Sequence, residues 1–261
     1  MPPPSRDLLQ QGHYARKQLF SRNRAIAWSH QRRFALARRL ALAHAGGALL
    51  DYGCGDGTFI ALAHEAFRQS VGADVDAEQV RGCAGRLGSL PGVEFMPVDA
   101  LRQPAQAGHY DVIVCMEVLE HCPHDVQPLV VEDLARLLRP DGVVYISVPI
   151  EIGPTLLLKQ IVRAVAAAGG LTEYAHRERY RAAELFRMTM AGSTSEIERP
   201  LTTATAADGT IVRYHGHKGF NWHLLERVVD RYLKIERRLY SPMPLTGPWL
   251  NSQVWFECRK R

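Results

Sequence analysis

At 261 residues, with 46% hydrophobic and 23% charged residues, the chain has the composition of a globular protein long enough to build one large core. No apolar run nears the roughly 20 residues of a membrane-spanning helix, and the proline-rich start is not read as a secretory leader. Five cysteines (54, 83, 115, 122 and 258) form no CxxC pair, which argues against a zinc ribbon or a disulfide framework and for a reducing cytoplasm.

The net charge of +5 is unevenly placed. Residues 1–47 carry nine arginines or lysines against a single acid, Asp7, so the expectation is a basic N-terminal arm for an anionic partner or a solvated helix face. After a loose start with three prolines, residues 21–43 read as helical, with Ile26, Phe34, Leu36, Leu40 and Leu42 as apolar positions. Tyr14, Phe20 and Trp28 are interleaved with the cations, and Gly46-Gly47 ends the segment.

The run Ala48-Leu-Leu-Asp51-Tyr predicts a short buried strand, followed by Gly53-Cys-Gly55-Asp-Gly57 and then a helical pattern over 57–67. Glycines at alternate positions let a backbone turn sharply and approach a ligand closely. Strand, Gly-rich loop and helix in that order make the first crossover of a nucleotide-type α/β domain. A second strand, near 70–74, ends on Asp74, about 20 residues past Gly53, where such folds place an acid on the ribose hydroxyls. Asp76 is the better cap for the helix expected over 77–87. Further strands fall near 93–97, 110–116 and 142–149, with a helix near 127–138 and a turn at Arg139-Pro-Asp-Gly142. A helix from 222 to 232 and strands near 234–240 and 253–259 complete a seven-stranded, mostly parallel, Rossmann-like sheet flanked by helices.

Residues 150–215 exceed this minimal plan. They hold an apolar helix candidate over 155–168, whose only charges are Lys159 and Arg163, a Gly169-Gly170 break, and a charged helical stretch from Tyr174 to Phe186. Inserted at the carboxyl edge of the sheet, this segment is expected to act as a lid over the bound substrate; the alternatives are an oligomer contact or a helix on a membrane surface. The division is therefore an arm over 1–47 and a catalytic domain over 48–261 that contains the lid.

The pattern Asp51-x-Gly-x-Gly-x-Gly, with Asp74, Asp99 and Asp111-Val-Ile-Val-Cys-Met-Glu117, resembles class I S-adenosylmethionine-dependent methyltransferases over residues 48–149. A dehydrogenase binding a dinucleotide is the rival; a carboxylate at Asp51 would repel a pyrophosphate but suits a cationic sulfonium. The resemblance implies a donor site at Asp51, Gly53, Gly55, Asp74, Val75, Asp99, Ala100 and Glu117, with the adenine near Asp99. Met116-Glu-Val-Leu-Glu-His121 and the later His217-Lys-Gly-Phe-Asn-Trp222 are similar to elements of ubiquinone-pathway O-methyltransferases and small-RNA 2′-O-methyltransferases. In those families such residues are implicated in binding a divalent cation, which implies Glu117, Glu120, His121 and His217 as ligands here. Gly219, inserted before Phe220, departs from the RNA enzymes.

On a helix, Glu117, Glu120 and His121 would share one face, at i, i+3 and i+4. A cation there would acidify an acceptor hydroxyl, and the histidines would favour Mn²⁺, Fe²⁺ or Zn²⁺ over Mg²⁺. Without a cation, His121 is the favoured general base and His217 its reserve, with Glu120 beside them. The bland alternative is that these residues cap a helix or form a buried ion pair. Expected, then, is O-methylation of a small hydroxylated metabolite, with RNA ribose as the runner-up acceptor and a non-catalytic donor-binding subunit as the reading of another class. Tyr14, Trp28 and Tyr174 are candidate pocket walls.

Overall fold

The computed structural model describes residues 9, 11–21, 24–168, 180–205 and 211–261. The expected loose start, the Gly169-Gly170 break, Tyr174 and the side chains of Ile26 and Arg163 lie outside the described residues. The elements in chain order are α1 (His13–Gln18), α2 (Arg24–Ala41), β1 (Ala48–Tyr52), α3 (Thr58–Ala63), β2 (Gln69–Asp74), α4 (Ala77–Leu87), β3 (Val93–Pro97) and β4 (Tyr110–Met116). There follow α5 (Gln127–Leu137), β5 (Leu138–Pro149), α6 (Pro154–Ala168), α7 (Ala182–Thr189), β6 (Leu201–Thr205), β7 (Ile211–His215), α8 (Trp222–Tyr232), β8 (Leu233–Ser241) and β9 (Gln253–Lys260).

Seven strands form one sheet in the order β3-β2-β1-β4-β5-β9-β8, and β6 and β7 pair apart from it as an antiparallel hairpin. The strands from β1 to β5 run parallel, whereas β9 runs antiparallel to both of its neighbours. Every residue of β1 is buried, as a parallel strand covered on both faces requires. Side chains alternate between two cores. Leu50, Ile113 and Ile146 face α5 and α8 through Val131, Leu134 and Val229. Leu49, Val112 and Val114 face α2 and α3 through Phe34, Leu36, Leu40, Phe59 and Ile60. The basic N-terminal segment therefore covers one face of the sheet with its apolar side.

Three local expectations are corrected. The helix expected over 57–67 ends at Ala63 and tightens into a 3₁₀ turn over His64–Ala66. The turn at 139–142 is a bulge within β5, whose pairing with β4 jumps from Tyr110↔Leu138 to Val112↔Val143. Residues 117–122 form turns, and Glu117 takes a left-handed backbone at φ 56°. Among the described residues no helix is long and apolar enough to cross a membrane.

Candidate active site

The strand order reverses between β1 and β4, so the loops leaving their carboxyl ends diverge and open a crevice, the usual ligand position in such sheets. A cleft of about 810 Å³ lies there, lined by the glycine loop, the turn after β4, α1, α2 and strand β7.

The glycine loop is held from below and left open above. Gly53 N and Cys54 N both donate to the Ala73 carbonyl, at 2.7 and 2.9 Å. Gly53 sits at φ 80°, and a Cβ there would lie 2.2 Å from Val118 Cγ2, whereas one on Gly55 would meet nothing. The space over Gly55 leaves room for a ligand to approach the backbone there. Asp74 accepts from Gly55 N at 2.8 Å and from Asp76 N at 3.0 Å, so it ties the loop to the end of β2 and keeps spare lone pairs toward the cleft. Asp76 caps α4 through Glu78 N and Gln79 N.

Asp51 is buried beneath this loop, and burial, reinforced by the neighbouring Asp74, Cys83 and Asp56, holds its carboxyl well above the usual carboxylate range. Such a concentration of acids suits a cationic ligand and opposes a pyrophosphate. Val75 and Asp99 line the cleft, both exposed, and Asp99 pairs with Arg102 at 3.0 Å. Ala100 is not part of the lining. Cys122 also lines the cleft, but burial pushes its thiol up to about 12, so it is no nucleophile at neutral pH.

Two site residues escaped the sequence reading. Asp56 Oδ2 accepts from Tyr14 N and Ala15 N of α1, at 2.8 and 3.2 Å, while its Oδ1 accepts from Thr58 N at the start of α3. One carboxylate of the glycine loop thus caps two helices that have no side-chain cap of their own. Arg33 of α2, buried, pairs with Glu117 at 3.2 Å and bonds the Tyr14 hydroxyl and His30 Nδ1. Ser147 Oγ donates to the other Glu117 oxygen at 3.2 Å. Tyr14 lines the cleft, and Trp28, more than a third exposed, does not.

Beyond Glu117 the turn presents Glu120 and His121. Each of Glu120, His121 and His217 offers one ligand atom, and these atoms all lie within 4.8 Å of one another. Of the four ligands implied by the resemblance, three converge; Glu117 is instead turned to Arg33 and Ser147. The two imidazole rings stand edge to face, 4.8 Å apart. His121 Nδ1 bonds the His215 carbonyl at 2.8 Å, which fixes Nδ1 as the protonated nitrogen and leaves Nε2 facing Glu120 Oε1 at 3.7 Å. Burial lowers the His121 pKa, the His215 carbonyl partly opposing it. Glu120 is fully buried with neither carboxylate oxygen hydrogen-bonded, and burial, with the Glu117 charge next, holds its carboxyl well above the usual range. An orphaned buried carboxylate beside two imidazoles fits a divalent cation, which would supply the missing partner.

Sheet order, glycine loop and acid-lined cleft together define a class I S-adenosylmethionine-dependent methyltransferase. The model of the methyltransferase domain family matches residues 22–189, and the chain belongs to that family. Among curated proteins it is similar to the ubiquinone biosynthesis O-methyltransferase of Acinetobacter baumannii (strain AYE), 38% identical over 112 residues, 40% of this chain and 44% of that one. The chain thus spans less than half the length of the curated relatives it matches. Among solved structures it resembles the PH0226 protein of Pyrococcus horikoshii OT3, with TM-score 0.58 at 16% identity over 93% of this chain and 95% of that one. It also resembles the N-methyltransferase NodS of Bradyrhizobium japonicum WM9, solved with S-adenosyl-L-homocysteine, with TM-score 0.52 at 13% identity over 88% and 86%. At these identities the likeness is one of fold.

Proposed function

We propose that the chain transfers the methyl group of S-adenosylmethionine to a hydroxyl of a small metabolite, assisted by a divalent cation held by Glu120, His121 and His217. The carrying observation is that cluster: a buried carboxylate without a hydrogen bond and two imidazoles, one of which, His121, has its tautomer set and lines the cleft that the glycine loop bounds. When bound, the donor supplies an electrophilic methyl and the cation a Lewis acid. Asp56 and Asp74 attract the positive donor, whose charge would favour ionisation of the buried Asp51 beneath the loop, and Gly55 admits it. Val75 and Asp99 flank the position of its nucleoside. Glu120, His121 and His217 would hold the cation, which would lower the pKa of the acceptor hydroxyl, and His121 Nε2 would take the proton if the cation is dispensable. Aligning the partners and excluding water from the cleft is the rest of the catalysis.

In this reading residues 1–47 form an arm closed over the donor and residues 150–215 a lid over the acceptor. Ubiquinone O-methylation by the curated relatives favours oxygen as the acceptor atom. Two imidazoles favour Mn²⁺, Fe²⁺ or Zn²⁺ over Mg²⁺. The five free cysteines suit a reducing cytoplasm.

The test is calorimetry with S-adenosyl-L-homocysteine, followed by transfer of labelled methyl to a catechol probe with Mn²⁺ or with excess chelator. Binding of the nucleoside and loss of transfer in chelator are expected. Full activity in chelator removes the cation, and uptake of a dinucleotide in place of the nucleoside overturns the reading. Transfer to RNA with affinity falling steeply as salt rises would instead identify a ribose acceptor.

A further inference from the structure

Glu120 and His121 reach the cluster from the turn after β4, whereas His217 reaches it from the loop between β7 and α8. Nearly a hundred residues separate them, and the inserted segment lies between. Something must set their spacing, since a cation site tolerates only a few tenths of an ångström.

Arg199 stands where the two backbones meet. It leaves the insert just before β6 and is 8% exposed. Its Nη2 donates both to the Glu120 carbonyl and to the Gly216 carbonyl, the latter at 2.7 Å. Those carbonyls belong to the residue that bears the carboxylate and to the residue preceding His217. The two N–H bonds of Nη2 lie in the guanidinium plane at fixed directions, so holding one carbonyl aims the other N–H. The Phe220 ring lies 5.1 Å from the guanidinium carbon and backs the group. The same junction is stitched by His215 N to the His121 carbonyl at 2.9 Å, and His215 Nδ1 bonds the Pro200 carbonyl at 2.9 Å. The insert's return thus lies against the turn after β4 through residues next to Arg199.

We propose that Arg199 is a positioning residue for the cation and acceptor site, setting the separation between the Glu120–His121 turn and the His217 loop. On this view the insert, besides covering the acceptor, completes the centre: without its last residues the two halves of the ligand set have no common anchor. The inference rests on the cation reading above, and its test keeps the two apart.

The experiment compares wild type, Arg199→Gln and Arg199→Lys in three measurements: S-adenosyl-L-homocysteine binding by calorimetry, Mn²⁺ binding by electron paramagnetic resonance, and the imidazole nitrogen resonances of His121 and His217 in cation-free protein. Nucleoside binding reports on folding, because its site lies over Asp51–Val75. Expected for Arg199→Gln is nucleoside affinity within twofold of wild type, Mn²⁺ affinity at least tenfold weaker and shifted resonances of both histidines. Arg199→Lys, which keeps the charge and loses the planar, directed N–H pair, should recover only part. Mn²⁺ affinity within twofold of wild type in a folded Arg199→Gln protein, with unmoved resonances, overturns the proposal. If wild type binds no Mn²⁺, the cation reading fails by itself, and the resonances decide: shifts in both rings sustain the positioning role, and their absence removes it. Should Arg199→Gln fail to bind the nucleoside, Arg199→Lys alone decides on the same criteria.

Discussion

Substituting Asp56 by alanine tests how the N-terminal arm is coupled to the donor loop. The carboxylate accepts from Tyr14 N at 2.8 Å and Ala15 N at 3.2 Å, at the start of a helix whose own N-cap is Gly12. Gly12 is small for a reason: a Cβ there would lie 2.4 Å from Asp56 Oδ2. Removing a capping oxygen costs about 1–2 kcal/mol, and hydrogen bonds to an ionised group are worth about 1.5–3 kcal/mol. Water recovers part of the loss, since Tyr14 is half-buried, which leaves about 2–3 kcal/mol. At 1.4 kcal/mol per factor of ten, opening of α1 should rise about 30- to 150-fold. Hydrogen exchange over residues 11–21 measures this directly. Nucleoside affinity should fall in step, because His13 and Tyr14 line the cleft. Asp56→Asn, retaining one acceptor oxygen, should fall between. Exchange of that segment within threefold of wild type in Asp56→Ala would refute the coupling.

Further outcomes follow from the same geometry. Glu120→Gln should abolish cation-dependent transfer while leaving nucleoside binding within twofold; turnover above a tenth of wild type would count against a ligand role. The raised Glu120 pKa means that the folded state holds its proton more tightly than the unfolded state. Stability should therefore fall as pH rises above the ordinary carboxylate range, and Glu120→Gln should flatten that fall in cation-free melts. Because a cation must displace that proton, Mn²⁺ affinity should rise with pH. His121, its pKa lowered by burial, is already neutral at pH 7 and adds little to that slope; an affinity that nowhere rises with pH above the ordinary carboxylate range would contradict the assignment. Gly53→Ala should cost about 2–5 kcal/mol, from a left-handed backbone and a Cβ 2.2 Å from Val118 Cγ2, with loss of nucleoside binding. Adding Val118→Ala should restore only the part due to the clash, as melting and calorimetry would show.

What the sequence discloses here depends on how local the cause is. Strands β1 and β4 are legible to the residue because each is short, mostly apolar and buried along most of its length. The glycine loop is legible because its three alternate glycines all take a left-handed backbone, a requirement local to the loop. The turn after β4 misleads, since Glu117, Glu120 and His121 have helical spacing and periodicity carries no information about backbone handedness. Glu117 is left-handed, with its N–H given to the Ser147 carbonyl at 2.9 Å, so the chain leaves the strand in a turn. Asp56 reads as loop filler, because the amides it satisfies lie some forty residues upstream. Which of nine cations in the arm would turn inward is equally invisible to any window, because Tyr14, which packs on Arg33 with His30 and Phe34, lies on a different helix.

The two buried guanidiniums explain why the turn after β4 can hold two acids. Carboxylates three residues apart in a buried pocket cannot both ionise without compensation. Arg33, from the N-terminal arm, takes the Glu117 carboxylate itself, in a pair whose arginine is buried and whose acid faces the cleft. Arg199, from the insert, takes only the backbone carbonyl of Glu120 and leaves its carboxylate oxygens unbonded. Glu117 is thereby committed to Arg33 of α2 and Glu120 is left beside the imidazoles, so the two acids have different surroundings for reasons that lie outside the shared motif. The segments before and after the sheet's parallel half each contribute one arginine to this division. A chain reduced to residues 48–149 would retain the motif and lose both counter-charges, and with them the asymmetry on which the site depends.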